Sequence, residues 1–315
     1  MSLIIKKSFF PEGISGFSGH TRAFLKIQDG CANFCTYCKV ALVRGRETSK
    51  KLKQVLKEAK ALAERGYKEI VLTGICLGAY GRDLSSRQEL VDVVDTLEEI
   101  EGLERIRLSS IEAGDVSSKL ISRMRQNKKL CRHLHIPIQS GDDRILKRMN
   151  RKYTAKNYRD LIAGIKRDVP GVSITTDCLI GFPGETEENF ENTVNLVKKI
   201  MPLNTHIFPY SSRPGTSSAE FKGSLDPKLI RRRCIHLERV AKESKGKFMK
   251  RFTGTTALVL IEGASNDDAG LLEGLTDNYL KVKLPFKPGL KNKIVRVKLK
   301  SIAGGSFIGE YIDKY

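Results

Sequence analysis

The chain has 315 residues, of which 40% are hydrophobic and 7% aromatic, and its formal net charge is +20. This composition excludes a wholly disordered chain, because the apolar residues suffice for a sizeable core, and the length suits one large domain with a smaller one. No apolar run approaches the ~20 residues of a membrane-spanning helix, so we expect no membrane association. A strongly basic chain is typical of proteins that bind a polyanion such as nucleic acid.

The cysteine content indicates reduced thiols. The chain has 7 cysteines, an odd number, and its N-terminal residues do not resemble a secretory signal peptide. Metal ligation therefore accounts for the cysteines better than a disulfide framework does, and we expect a cytoplasmic protein.

Strand-length apolar runs alternate with amphipathic helical segments from Arg22 onward, after an irregular lead-in at 1–20. The predicted strands are 23–28, 69–73, 105–109, 133–138, 173–180 and 203–210. The predicted helices are 50–65, 88–100, 117–127, 142–149, 157–168, 186–199 and 227–249. Such a series of strand–helix units implies an α/β fold with a parallel sheet, which either closes into a partial barrel or lies open and doubly wound. In both cases the functional loops follow the carboxyl ends of the strands.

The sequence pattern changes after about residue 250. Short β-type runs at 255–262, 279–284, 294–302 and 306–311 are separated by Gly, Asn, Asp and Pro. We therefore predict a small antiparallel β-barrel over 251–315. Its basic residues are expected to form one charged face: Lys281, Lys283, Lys287, Lys291, Lys293, Arg296, Lys298 and Lys300.

Three cysteines, Cys31, Cys35 and Cys38, follow the first predicted strand with the spacing C-x3-C-x2-C. Three thiolates on one loop fill three corners of a [4Fe–4S] cluster and leave one iron open. A structural zinc site would need a fourth ligand, and the sequence offers no second closely spaced pair. Cys76 follows the second strand and is able to approach this loop, whereas Cys178 lies within a strand and suits the core.

The cysteine triplet, with Tyr37 directly before its third member, resembles the cluster loop of the radical S-adenosylmethionine enzymes. That resemblance implies a partial (βα)6 TIM-like barrel over residues 21–250, a [4Fe–4S] cluster, and S-adenosylmethionine bound at the open iron. In this superfamily an electron from the cluster cleaves S-adenosylmethionine to a 5′-deoxyadenosyl radical, while the protein binds and orients the reactants.

Further segments resemble the methylthiotransferases of the MiaB type, and the segments 78–81 and 109–112 are most similar to the MtaB branch. The resemblance implies that a 2-methylthio group is added to N6-threonylcarbamoyladenosine at tRNA position 37, after hydrogen abstraction from C2 of the adenine. It also implies that 251–315 is a TRAM domain, which is an RNA-binding barrel. The segments that carry the resemblance are 29–31, 44–47, 72–75, 108–112, 133–141, 146–151, 181–186 and 210–216.

The same resemblance assigns cofactor-binding roles to residues at the strand ends. Simpler interpretations stay open, since 181–185 suits an ordinary turn, Glu112 a helix cap and Arg213 a surface ion pair. The implied contacts are Tyr37, Asp177 and Gly181 at the adenine of S-adenosylmethionine, Thr73 and Gly74 at its methionine amino group, Glu112, Gln139 and Ser140 at ribose or substrate, and Arg213 at a carboxylate or phosphate.

The expected partners are the anticodon stem-loop of a tRNA, which residues 231–233, 242–251 and the C-terminal barrel would grip at its phosphates, and an electron donor such as flavodoxin or ferredoxin. We expect a monomer. Alternative targets are isopentenyladenosine in tRNA or an aspartate of a ribosomal protein. An RNA-binding module with a purely structural metal is the alternative from another class of protein. His133 and His135 are expected on opposite faces of their strand, in structural roles.

Full-length members of the family that the chain resembles carry an N-terminal domain with three further cysteines, which hold a second, sulfur-delivering cluster. No cysteine precedes Cys31 here, and the chain begins Met1-Ser2-Leu3. We therefore expect a chain that lacks this domain, either cut or naturally shortened, and a second [4Fe–4S] cluster only in a longer form.

Overall fold

The computed structural model describes residues 10, 21–265, 268 and 270–312. Apart from residue 10, the predicted lead-in at 1–20 lies outside the described residues. In chain order, the first strands are β1 (Arg22–Lys26), β2 (Gln28–Asp29), β3 (Thr48–Ser49), β4 (Glu69–Thr73), β5 (Arg105–Leu108), β6 (His133–His135), β7 (Ser173–Ile180) and β8 (Asn204–Pro209).

Two three-stranded parallel sheets form the frame of the larger unit, with the orders β1-β4-β5 and β6-β7-β8. The parallel bridges Ile106–Leu130 and Ser110–His135 connect them between β5 and β6. Within the described part of the chain, β1 and β8 do not pair with each other, so the frame is open along that side. The predicted strands therefore exist and are parallel, and the doubly wound order is absent from these two sheets.

The longer helices cover the outer face of this frame with an apolar stripe, and several of them have a capping residue at their start. Ser117 caps one helix by accepting from the backbone N–H of Leu120, and Thr154 and Thr186 begin two others with reciprocal capping boxes. Such caps each stabilise a helix by about 1 kcal/mol. The helices are α1 (Val40–Arg44), α2 (Leu52–Glu64), α3 (Leu90–Glu98), α4 (Ser118–Gln126), α5 (Asp143–Arg148), α6 (Ala155–Asp168), α7 (Glu187–Ile200) and α8 (Pro227–Lys250).

The C-terminal strands form a closed five-stranded barrel in the order β10-β11-β13-β12-β9. Four of its five neighbouring pairs are antiparallel, as predicted, whereas β11 and β13 pair in parallel and depart from the prediction. A closed ring with an odd number of strands cannot alternate direction at every step, so at least one pair must be parallel. Its strands are β9 (Thr256–Ala264), β10 (Leu271–Thr276), β11 (Lys281–Pro285), β12 (Ile294–Ala303) and β13 (Ser306–Tyr311).

Strand β10 has no counterpart among the predicted strands. Its apolar alternation is interrupted at Glu273 and Gly274, where the register with β9 shifts. A Cβ at Gly274 would lie 2.2 Å from the carbonyl oxygen of Leu260, so only glycine fits this close approach of two strands.

The turn between β10 and β11 closes the amino end of the parallel frame. The ring of Tyr279 stacks on His133 with centroids 4.4 Å apart, and Arg107 lies over the same ring. Asn278 accepts from the Ser173 hydroxyl at 2.6 Å through its backbone oxygen. The C-terminal barrel is thus fixed at the end of the frame opposite to the loops that follow the strands.

A buried ion pair supports this junction. Glu69 is fully buried and accepts from Arg107 Nε at 2.6 Å. Arg107 also donates to the backbone oxygens of Thr276 and Asp277, and Arg105 donates to those of Leu258 and Leu275. Burial opposes ionisation of Glu69, but Arg107 and Arg105 overcome that effect and hold its pKa below the ordinary value.

The expectation that His133 and His135 point to opposite faces is wrong. Residues two apart in a strand share a face, and both imidazoles lie within hydrogen-bond distance of the Thr175 hydroxyl, at 3.0 and 2.8 Å. Among the described residues, no helix is both long and apolar enough to cross a bilayer.

Candidate functional site

The cysteine loop, residues 30–38, leaves the carboxyl end of the β1–β2 segment through a glycine that cannot be replaced without strain. Gly30 has φ +74°, and a Cβ there would lie 2.0 Å from the carbonyl oxygen of Arg46. The backbone N–H of Cys31 donates to the Gly45 oxygen at 3.0 Å, so the segment after α1 holds the start of the loop. Glycine is required here because the backbone is left-handed and the neighbouring chain is in contact.

The far side of the loop is tied to the end of α5. The backbone N–H of Thr36 donates to the Met149 oxygen at 3.1 Å, and the Asn150 amide donates to the oxygen of Phe34 at 2.9 Å. Asn150 itself has φ +59°, a conformation that asparagine tolerates better than most residues. The loop is therefore positioned by two separate parts of the chain.

Each of the three thiol sulfurs has an N–H donor directed at it. Backbone N–H groups two residues further along lie 3.4 Å from the sulfurs of Cys31 and Cys38. The Arg151 guanidinium lies 3.3 Å from the sulfur of Cys35. Donors of this kind stabilise thiolates and are one means by which proteins adjust iron–sulfur clusters. These N–H groups and the three sulfurs thus fit a cluster site with three cysteine ligands.

Cys76 approaches the loop, as its position after β4 permits. A hydrogen bond from the Cys76 thiol lowers the pKa of Cys31 to about 7, whereas the hydrogen bond to Cys31 raises the pKa of Cys76. The Asp115 carboxylate lies 3.6 Å from the Cys76 sulfur and favours its protonated form. Cys76 is therefore a hydrogen-bonded neighbour of the triplet, held beside Cys31 and Asp115.

Arg151 links the cysteine loop to Glu112. Its Nη2 donates to the Glu112 carboxylate at 2.5 Å and to the Tyr153 hydroxyl at 3.0 Å. Burial raises the pKa of Cys35 and of Glu112, and the neighbouring guanidinium opposes both shifts. A cavity of about 200 Å³ opens between Cys35, Glu112, Arg151 and Asp115. Arg151 was not among the predicted site residues, although it lies in one of the segments that carry the resemblance.

Tyr37 belongs to the cysteine loop, and its side chain is packed against the protein. Its ring packs edge-on against Phe182 at 6.5 Å, in a small apolar cluster with Met149 and Ile145, and burial raises the pKa of its hydroxyl well above the ordinary value. Contact of Tyr37 with an adenine stays a prediction.

The residues expected at the methionine end lie beside Gln28. Thr73 ends β4 and accepts from the Ile27 N–H at 2.9 Å. A Cβ at Gly74 would lie 2.9 Å from the Gln28 side chain, whose oxygen accepts from the Cys76 N–H at 2.7 Å. This segment is thus tightly packed and places its backbone next to the cysteine loop.

The remaining predicted site residues are distributed over the other strand ends. Gln139 has φ +67° and follows β6, whereas the Ser140 hydroxyl is buried against Thr193 of α7 at 3.4 Å. Gly181 has φ +83° after β7, and its N–H donates to Glu185. Arg213 is exposed in the segment after β8. The structure therefore brings Glu112 to the cysteine loop and turns Ser140 towards a helix.

Asp177 lies between two imidazoles, at 3.1 Å from His135 Nε2 and 3.1 Å from His206 Nδ1. This contact of Asp177 with two histidines was not predicted. The signal was available in their spacing, because parallel strands in register bring His206 opposite Asp177.

Comparison with known proteins identifies the family. The model of the Radical SAM superfamily matches residues 25–197. The chain is 38% identical over 304 residues to the threonylcarbamoyladenosine tRNA methylthiotransferase MtaB of Bacillus subtilis, covering 95% of this chain and 67% of that protein. It is 39% identical over 292 residues to the tRNA-2-methylthio-N(6)-dimethylallyladenosine synthase of Clostridium tetani, covering 93% and 64%. The chain thus spans about two thirds of the length of these relatives.

Solved structures agree on the fold. The radical S-adenosylmethionine methyltransferase TsrM of Kitasatospora setae matches with a TM-score of 0.53 at 18% identity, over 62% of this chain and 38% of that one. Coproporphyrinogen III oxidase HemN of Escherichia coli, a radical SAM enzyme, matches with a TM-score of 0.53 at 14% identity, over 71% and 52%.

Members of this family use a [4Fe–4S] cluster and S-adenosylmethionine, and Cys31, Cys35 and Cys38 are the residues that fit the cluster here. On the match of the family model and of the curated relatives, the chain belongs to the radical S-adenosylmethionine superfamily, in the group of the MiaB- and MtaB-type methylthiotransferases.

Proposed function

We propose that this chain carries the radical and RNA-binding parts of a tRNA methylthiotransferase that adds a 2-methylthio group to N6-threonylcarbamoyladenosine in the anticodon loop. The observation that carries the proposal is the donor set of the cysteine loop, in which every sulfur of the triplet faces an N–H group. The MtaB relative supports this nucleoside. The relatives named for dimethylallyladenosine, at similar identity, support that nucleoside as the second candidate.

The proposal divides the chain into a radical domain at 21–250, in which the two parallel sheets make up one partial (βα)6 barrel, and a TRAM-like domain at 251–315. When bound, the cluster and S-adenosylmethionine supply one-electron cleavage chemistry. Cys31, Cys35 and Cys38 would hold the cluster, and Arg151 would stabilise the Cys35 thiolate. The backbone around Gly74 would position the methionine end, because it lies packed beside Cys76 and the loop.

The proposed RNA-binding surface lies on β12 and on the exposed side of α8. Arg296, Lys298 and Lys300 are exposed and alternate with buried apolar residues of β12, so they share the outer face of the barrel. Such a face suits phosphates, which position an RNA without specifying its sequence. The barrel is fixed to the amino ends of the strands, and the cysteine loop follows their carboxyl ends. An RNA that touches both must span roughly 26 Å, the length of an eight-residue strand.

One predicted phosphate contact is wrong. Arg233 of α8 is buried and its guanidinium binds Glu185 at 2.9 Å and Glu187 at 2.7 Å. Its neighbours Arg231 and Arg232 are exposed and remain in the proposed surface, together with Lys242, Lys247 and Lys250.

Salt dependence of RNA binding tests the proposal. The affinity for a fluorescent anticodon stem-loop is expected to fall steeply from 50 to 200 mM salt, by about 0.7 to 0.9 logarithmic unit per phosphate contact for each tenfold rise in salt. Arg296→Ala/Lys298→Ala should reduce that slope by about two contacts, whereas Lys53→Ala/Lys57→Ala, on exposed positions of α2, should leave it unchanged. A flat salt response of the unmodified chain would contradict the proposed RNA partner.

A further inference from the structure

Three polar side chains on neighbouring strands form one connected group, the lumen triad: His135 on β6, Asp177 on β7 and His206 on β8. The two carboxylate oxygens of Asp177 each lie 3.1 Å from one imidazole nitrogen. The two imidazole rings stack with centroids 5.5 Å apart. His135 is further fixed by the Thr175 hydroxyl, 2.8 Å from its other nitrogen.

The triad lies on the inner face of the parallel frame. Neighbouring residues of β7 face the helices instead: Thr176 accepts from the Tyr158 hydroxyl of α6, and Cys178 is completely buried in the main core. Side chains alternate along a strand, so Asp177 points away from the helices. On β8, Thr205 is buried whereas His206 and Phe208 are exposed, and these two rings lie 6.4 Å apart.

The open side of the frame makes this inner face accessible to a large ligand. Strand β8 pairs with β7 alone within the described chain, so His206 and Phe208 line an uncovered edge. The side chain of His206 is 49% exposed and Phe208 is 50% exposed. Exposed aromatic rings beside hydrogen-bonding groups are the usual means by which proteins hold an unstacked RNA base.

We propose that the lumen triad and Phe208 form the subsite for the N6 substituent of the target adenosine, and that this substituent is polar, of the carbamoyl and carboxylate type. The inference rests on the proposed function and deepens it, because it distinguishes the two nucleosides for which the curated relatives are named. It gives Asp177 a role at the substrate in place of the contact with the adenine of S-adenosylmethionine that the resemblance implies. Phe208 supplies a surface for the base. Both ring nitrogens of His135 are engaged by Asp177 and Thr175, so the hydrogen bond to the substituent comes from Nε2 of His206, the ring nitrogen that does not face Asp177.

Desolvation decides between the two substituents. A dimethylallyl chain packed on the triad would remove water from the half-exposed His206 imidazole and from the Asp177 carboxylate without offering them a hydrogen bond, which is unfavourable. A threonylcarbamoyl group offers amide, hydroxyl and carboxylate groups in the same place. Asp177 holds both imidazoles in position, so they are oriented before the substituent arrives.

Three synthetic anticodon stem-loops that differ at one adenosine test the inference. They carry N6-threonylcarbamoyladenosine, N6-dimethylallyladenosine or adenosine, and their affinities are measured by fluorescence anisotropy with the reconstituted chain. The threonylcarbamoyl stem-loop is expected to bind about tenfold more tightly than the dimethylallyl one, which corresponds to about 1.4 kcal/mol. In His206→Leu the preference should fall to within about twofold.

Two further variants separate recognition from folding. His206→Gln keeps a hydrogen-bonding group and should retain part of the preference. His236→Leu removes a half-exposed histidine of α8 that packs against Phe190, outside the lumen, and should leave the preference unchanged. A circular dichroism melt confirms that each variant is folded.

The outcomes are distinct. An equal preference in His206→Leu and the unmodified chain, or a preference for the dimethylallyl stem-loop, would overturn the inference and leave the proposed function intact. Failure to bind any stem-loop would overturn the proposed function itself. Two imidazoles and a carboxylate also have the composition of a metal site; stoichiometric zinc bound by the unmodified chain and lost in His206→Leu would assign the triad to a metal and overturn the inference.

Discussion

The guanidinium of Arg151 lies 3.3 Å from the sulfur of Cys35, and its side chain is only 4% exposed. A buried positive charge and an N–H donor at a cluster thiolate favour the reduced, more negative cluster. Arg151→Met should therefore lower the reduction potential of the reconstituted cluster. A loss of about 1 kcal/mol of this interaction corresponds to a decrease in the one-electron reduction potential of about 40 mV.

Redox titration followed by electron paramagnetic resonance measures that potential, after iron content confirms that the variant holds its cluster. Arg144→Met, at an exposed position of α5, serves as the control and should leave the potential unchanged. An unaltered potential in Arg151→Met would show that the contact with Cys35 does not affect the cluster.

The cysteine loop depends on a glycine at its start. Gly30→Ala places a Cβ 2.0 Å from the Arg46 oxygen on a left-handed residue, so the loop has to move. Gly289, between β11 and β12, has the same φ of +74°, and a Cβ there meets nothing within 4 Å. Iron content after reconstitution should fall to less than half in Gly30→Ala and stay near the original value in Gly289→Ala. Equal iron content in both variants would contradict a steric role for Gly30.

The buried pair between Glu69 and Arg107 fixes the C-terminal barrel to the parallel frame. Glu69→Gln removes the charge that balances two buried guanidinium groups, and such a loss typically costs about 3–5 kcal/mol of stability. Chemical denaturation should show that loss, whereas Glu104→Gln, whose carboxylate is 54% exposed, should change stability by less than about 0.5 kcal/mol. Comparable effects of the two substitutions would contradict the role of Glu69.

The buried Glu69 carboxylate should also make the stability of the fold depend on pH. Its pKa lies below the ordinary value in the folded chain, so the unfolded chain takes up the proton first as the pH falls. The stability that Glu69 contributes is therefore complete above the ordinary carboxyl pKa of about 4.3 and is lost as the pH falls through the lowered value. Unfolding by denaturant at pH 6 and pH 4 should show a smaller decrease in Glu69→Gln than in the unmodified chain, and a decrease of the same size would contradict this assignment.

The order of strands and helices was predictable from the sequence, because the spacing of apolar residues and the residues that cap helices are local signals. The strand at Glu69–Thr73 and the strand at Ser173–Ile180 have the predicted bounds, and Ser117 caps its helix as expected. Strand β10 and the parallel pairing of β11 with β13 were not predictable in this way. The first is interrupted by a bulge at Gly274, and the second follows from closing an odd number of strands into a ring.

Only the part of the site formed by residues close together in the sequence was predictable. The cysteine triplet is a single loop, so its spacing indicated its chemistry. The contacts of Arg151 with Cys35 and of Cys76 with Cys31 join residues far apart in sequence, and each depends on how α5 and the loop after β4 approach the cysteines. The contact between Asp177 and His206 likewise depends on strand register.

Formation of 5′-deoxyadenosine tests most directly whether Cys31, Cys35 and Cys38 hold a cluster that cleaves S-adenosylmethionine. The anaerobically reconstituted chain should bind about four irons and release 5′-deoxyadenosine on addition of S-adenosylmethionine and dithionite. Cys35→Ala should lose the iron and the product, whereas Cys234→Ala, on α8, should keep both. A chain that binds about four irons and releases no 5′-deoxyadenosine would contradict a role of this cluster in cleaving S-adenosylmethionine.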